Sequence, residues 1–233
     1  MISEVSNKRS VAGAVYIIRQ ATAMASTRAS CLLLLFAVGA QVSPPPWITN
    51  TSQLQVVAGE NDLSVVEGHE QTLLVESIFI HPQFNEFYYY NDIAILKVQG
   101  KFVFNEYVQP VQMPSGKEAA GTCVVSGWGA TEENGDAINL LKKASVPVWL
   151  DEDCRQVYGN EEVLDSMVCA GVEEGGKDAC HKDSGSPLMC SASGSHAFFA
   201  GVMSWGLGCA RPNTPSVYTE VSHFSDWLGS QIY

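Results

Sequence analysis

Basic residues are scarce in this sequence: 13 Lys and Arg stand against 25 Asp and Glu, for a net charge of −12. That balance makes nucleic acid and anionic membrane poor partners and favours cationic ligands or proteins. Long apolar runs are missing too, since Cys31 to Val38 falls well short of the about 20 residues a membrane-spanning helix needs. There is no CxxC pair and no His/Cys cluster, which argues against a structural zinc site. Internal repeats and low-complexity segments are absent, which excludes a solenoid or array.

The 233 residues, 46% hydrophobic with 20 Gly and 10 Pro, fit one globular domain of the larger all-β or α/β kind. Met24 and Arg28 precede the apolar run Cys31 to Val38, and Gly39-Ala40 follow it, the order of a secretory signal with cleavage after Ala40. A buried core segment is the alternative. The organisation expected is therefore an N-terminal extension over 1–40 with its signal-like part at 24–40, a linker over 41–53, and a domain over 54–233. Residues 1–23 carry no reading. Loss of Cys31 with the leader leaves six cysteines, Cys123, Cys154, Cys169, Cys180, Cys190 and Cys209, and an even count in a secreted chain argues for three disulfides. The sequon Asn50-Thr51-Ser52 agrees with an extracellular location, and Ser43-Pro44-Pro45-Pro46 is a short stiff extended piece.

From Leu54 onward, short apolar or alternating runs are separated by turn residues: Leu54 to Ala58, Leu73 to Ile80, Ile93 to Val98, Val124 to Trp128 and Phe198 to Trp205. This spacing reads as an all-β barrel or sandwich. Only the end looks helical, with Phe224, Trp227, Leu228 and Ile232 on one face behind a possible Ser222 cap.

Asp183-Ser184-Gly185 is the kind of tight turn that holds a serine hydroxyl out for attack, and Asp178 lies six residues before Ser184. Together with Asn91-Asp92-Ile93-Ala94-Ile95-Leu96, Val168-Cys169-Ala170-Gly171, Lys177 to Pro187, Ser204-Trp205-Gly206 and Pro215-Ser216-Val217-Tyr218, it resembles the trypsin-like serine proteases, invertebrate digestive trypsins in particular. The match runs from about Leu54 to the end in the family's order. It implies two antiparallel β-barrels with a cleft between them, the first barrel N-terminally incomplete here, a short C-terminal helix, and disulfides Cys123–Cys190, Cys154–Cys169 and Cys180–Cys209. By the same resemblance Ser184 is the nucleophile and Asp92 the carboxylate that orients the catalytic imidazole. Asp178 becomes the acid at the base of a specificity pocket walled by Gly206 and Ser216, which implies a polypeptide substrate or protein ligand presenting Arg or Lys. No organic cofactor is implied.

Glu60, Glu67 and Glu70 bracket a Gly-containing loop. Hard oxygen ligands around a turn suit calcium, although an acidic loop read by composition alone is more often merely solvated. Similarity to the family's calcium loop implies a structural calcium ion held by side chains of Glu60, Glu67 and Glu70 and by backbone carbonyls of Asp62 and Val65.

The sequence departs from the pattern at three places. The family's histidine belongs upstream of Leu54 in a Cys-containing segment, since the chain order His, Asp, Ser is set by the fold, but Gln41 to Ser52 contains neither His nor Cys. The histidines are His69, His81, His181, His196 and His223, and only His181 is close in sequence to Ser184. Lys182 stands where the family has an oxyanion-hole glycine, whose N–H acts with that of Ser184. Asp183 matches the acid that pairs with an Ile/Val-Val-Gly-Gly terminus, and Arg9-Ser10-Val11-Ala12-Gly13 is a poor counterpart. Two accounts follow: a secreted endopeptidase whose written sequence skips the histidine segment and is catalytically defective as it stands, or a non-catalytic homologue, a pseudoprotease, that binds.

Overall fold

The structure, a computed structural model, describes residues 54–116, 119–191 and 197–232, together with the backbone of three short strands at 4–5, 17–19 and 32–36. The linker over 41–53, the sequon, the Ala40 cleavage point and His196 lie outside the described residues.

In chain order the elements are β1 (Glu4–Val5), β2 (Ile17–Arg19), β3 (Leu32–Phe36), β4 (Gln55–Ala58), β5 (Gln71–Ile80), β6 (Ala94–Val98), β7 (Thr122–Gly127), β8 (Lys142–Pro147), α1 (Asp151–Tyr158), β9 (Met167–Ala170), β10 (Pro187–Cys190), β11 (Phe198–Trp205), β12 (Ser216–Glu220) and α2 (Ser225–Ile232). They form a five-stranded sheet, β2-β3-β6-β5-β4, and a seven-stranded sheet, β1-β8-β7-β10-β11-β12-β9. All strand pairs are antiparallel. The all-β architecture with a short C-terminal helix is thus as expected from the sequence.

Alternation drives the local structure. In β8, Ala144 and Val146 are buried while Ser145 and Pro147 are exposed, the period-two pattern of a half-solvated strand. By contrast, β11 is buried along nearly its whole length because it is packed on both faces. Its residues contribute to two cores: Phe198, Ala200 and Met203 join Val125, Val146 and Tyr218, whereas Phe199 and Val202 join Ile93, Ile95 and Leu228. The second cluster joins the start of β6 and the residue before it to the seven-stranded sheet and α2. The five-stranded sheet has its own smaller core of Val56, Ala58, Val75, Val98, Phe102 and Val108.

Two local readings are corrected. Ser222 does not cap a helix: a 3-10 turn over Val221–Phe224 precedes α2, and the Ser222 carbonyl accepts the Ser225 hydroxyl at 2.7 Å. Helix α1 was not expected, yet Asp151, Glu152 and Asp153 fill its first turn and Arg155 lies in its last, the charge order the helix dipole favours. The apolar segment Leu32–Phe36 pairs as β3 with Ala94–Val98, so in this arrangement the edge of β6 is covered.

Candidate active site

The Ser184 turn is built almost wholly from backbone. Asp183 N–H donates to Cys180 O at 3.0 Å, Ser186 N–H to Asp183 O at 2.8 Å, and Gly185, at φ +88°, donates its N–H to Met203 O at 2.8 Å. These bonds lay the turn on β11 and leave Ser184 exposed. The next residue of β11, Ser204, donates its hydroxyl to Asp92 Oδ2 at 2.6 Å. Asp92 is fully buried, and its carbonyl accepts the Thr219 hydroxyl at 2.7 Å. Adjacent residues of one strand therefore hold the Ser184 turn and the Asp92 carboxylate. The sequence reading quoted Ser204 in its motif but gave it no role; a hydroxyl at a buried strand position was the signal available.

Asp183 is held by a cradle that was also missed. Its Oδ1 accepts Gly129 N–H at 2.9 Å and its Oδ2 accepts Cys180 N–H at 3.0 Å. A Cβ on Gly127 would fall 2.1 Å from Oδ1, and one on Gly129 would fall 2.3 Å from Cγ, so both positions admit only glycine. Burial pushes the Asp183 carboxyl up to about 6, the two N–H donors opposing it.

Asp178 is buried beneath the same region. Burial pushes it up to about 7, against hydrogen bonds from the Ser216 hydroxyl and the Ala179 N–H. Gly171 and Gly206 open the space beside it: a Cβ on Gly171 would stand 3.4 Å from Asp178 Oδ2, and one on Gly206 would stand 3.5 Å from Ser216 Oγ. Asp178, Gly206 and Ser216 are thus brought together, as the resemblance implied. Tyr218 lies fully buried near both Asp178 and Asp183, and burial and the two carboxylates drive its hydroxyl well above the ordinary phenol range.

The disulfides are Cys123–Cys190, Cys154–Cys169 and Cys180–Cys209, the pairing the resemblance implied. The third ties the start of the Ser184 turn to the segment that follows Gly206.

Of the four described histidines, three pack against aromatic rings and the fourth is exposed. His69 stacks on Tyr107 with ring centroids 3.9 Å apart, and His81 meets Phe224 and Trp227 edge-on, where burial lowers its pKa. His223 contacts Phe224 and lines two open hollows of about 550 and 580 Å³, neither of which is lined by Ser184 or Asp178. His181 is exposed, and its carbonyl accepts Ala130 N–H.

Lys182 adopts φ +72°, a left-handed conformation that costs an L-residue about 1–2 kcal/mol. Its ammonium donates to Asp136 Oδ1 at 3.2 Å, with side-chain exposures of 53% and 101%. Pairs this open contribute about 0–1 kcal/mol.

In the acidic loop the carboxylates take up neighbouring N–H and O–H donors. Glu70 accepts the N–H groups of Glu67, Gly68 and His69; its own backbone N–H, with these, lowers its pKa. Glu60 accepts Asn61 N–H, Asp62 accepts both Ser64 donors, and the Asp62 carbonyl accepts Val65 N–H. Among the described residues no three His, Cys, Asp or Glu side chains stand close enough to share a metal ion.

Comparison with known proteins agrees with this architecture. The family model described as Trypsin matches residues 47–228. Trypsin-1 of Astacus astacus is 51% identical over 180 residues, covering 77% of this chain and 76% of that protein. Serine protease 1 of Rattus norvegicus is 40% identical over 78% of this chain and 72% of its own length, and Trypsin-1 of Salmo salar is 39% identical over 78% and 73%. With three disulfides, two antiparallel sheets and the Ser184 turn seated on β11 beside the Asp92 tether, the chain belongs to the trypsin family.

Proposed function

We propose that this chain is an extracellular trypsin-family protein that engages Arg or Lys side chains at Asp178 but does not sustain efficient peptide hydrolysis at Ser184. The observation that carries this reading is that His69, His81 and His223 pack on aromatic rings away from the serine and that His181 stands open to solvent, while Ser184, Asp92 and Asp178 keep their supports. A serine hydroxyl needs a general base to take its proton, and the base needs an orienting carboxylate. Asp92 can orient a base but does not itself replace one. Enzymes of this kind that lack a triad member keep only about 10³–10⁴ over water. Lys182, whose N–H belongs to the oxyanion pair by the resemblance, holds its left-handed backbone against strain; were the peptide to turn away and relieve it, loss of one such donor would cost a factor of about 10²–10³. The two losses need not multiply, since these groups act as a unit.

The test is to assay the folded full chain on an Arg-amide substrate beside Ser184→Ala. Equal, near-background turnover is expected. Trypsin-like rates that vanish in the alanine variant would overturn the reading and favour an active endopeptidase. Calcium enters this proposal only with a rearranged loop, because Glu70 must first release three N–H groups; a melting temperature raised by millimolar calcium in wild type and not in Glu70→Gln would show that it does.

A further inference from the structure

Besides backbone bonds from Leu63 N–H to Asn139 O and from Ile138 N–H to Trp128 O, two side-chain fastenings of unlike character hold the loop over 131–140. Glu133 accepts Arg211 Nε at 2.9 Å and also Arg211 Nη2, and its Oε2 takes Cys209 N–H at 3.3 Å. The mutual hydrogen bond lowers the Glu133 pKa and raises that of Arg211. This fork also lies against Gly208, where a Cβ would stand 2.3 Å from Arg211 Nε. It is a two-pronged anchor on the segment that Cys180–Cys209 binds to the Ser184 turn.

The second fastening is a single contact from Lys182 to Asp136, a carboxylate wholly open to solvent. Lys182 stands two residues before Ser184 and four after Asp178. A polypeptide with a basic residue at Asp178 would run past the Ser184 turn, on which Lys182 stands. Because both partners are solvated, an incoming carboxylate held in place by a bound polypeptide can take Asp136's position at the ammonium, and Glu133–Arg211 keeps the loop in place meanwhile. The chain as a whole is acidic and repels acidic ligands at long range, so a preference for a carboxylate here can only be local.

Resting on the reading of Asp178 given above, we propose that Lys182 is a specificity-determining residue. It selects polypeptides in which the basic residue is flanked by Asp or Glu, with the ligand carboxylate exchanging for Asp136.

Equilibrium binding of fluorescein-labelled peptides to the full chain tests this, using peptides with one Arg and either Asp or Asn at each flanking position and confirming them intact by mass spectrometry. One Asp peptide is expected to bind about 2–5-fold more tightly than its Asn counterpart, within the range of an exposed charge pair. The ratio should shrink as salt rises from 50 to 500 mM. It should collapse to about one in Lys182→Met, persist in Lys182→Arg and grow in Asp136→Asn. Equal binding of Asp and Asn peptides, with both lost in Asp178→Asn, overturns this inference and leaves the pocket reading standing. Arg peptides that fail to bind, or whose binding survives Asp178→Asn, overturn both.

Discussion

Asp178 and Asp183 lie five residues apart, and both are buried carboxyls whose proton affinity is raised, to about 7 and about 6. Asp183 is spent on two backbone donors, whereas Asp178 is bordered by glycines that leave room beside it. Raised carboxyl values fix the sign of the pH effect. The stability each protonated group contributes is fully present below about pH 4 and is lost as pH rises through the folded-state values. Urea titrations should therefore show wild-type stability declining relative to Asp178→Asn between about pH 4 and 7. A cationic ligand needs the ionised form, so the affinity of a small arylamidine for the wild type should gain up to tenfold per pH unit and level off near pH 7. The grouping of Asp178 with Gly206 and Ser216 was expected only through the resemblance to the trypsin-like proteases; taken bare, an Asp near a Cys reads as a turn or surface residue. The glycine cradle was not legible in the sequence, since Gly127 and Gly129 are 54 or more residues from the carboxylate they surround and only the folded β7 end brings them to it.

At the scale of single elements, the glycines around Asp183 give a contrast that packing alone decides. Gly129→Ala should cost about 1–3 kcal/mol or more, the range for overpacking a closed site. Gly229→Ala in α2, where nothing lies within 4 Å of the new Cβ, should gain about 0.5–1 kcal/mol; thermal melts of the two variants check both signs. Strand β3 makes a different prediction. Its main chain covers Ala94–Val98, so a chain beginning at Gln41 should exchange the amides of β6 faster and self-associate with rising concentration, as bare edges do. Size-exclusion chromatography with light scattering and amide exchange by mass spectrometry report on the two effects. Strands such as β11 could be read from the sequence because apolar runs bounded by turns leave little else. The eight-residue α1 could not, because it buries only Cys154 and so carries almost no periodic apolar stripe. Nor does a run such as Leu32–Leu35 distinguish, by composition, a leader from a strand.

For the whole molecule, the three cross-links all fall between Cys123 and Cys209. Among the described residues, none touches the five-stranded sheet, which relies on its own small core and on the Ile93 and Ile95 contacts. A disulfide stabilises by about 2–4 kcal/mol, so the restraint on the unfolded ensemble is one-sided. Scanning calorimetry should reveal this as a heat-absorption peak broader than a single cooperative unit allows, with the van't Hoff enthalpy below the calorimetric one. Reduction should merge the transitions by lowering the upper one. Limited digestion below the first transition should cut first between residues 54 and 108, so the half of the molecule carrying Asp92 has the shorter lifetime outside a reducing compartment, and the half carrying Ser184 and Asp178 outlasts it.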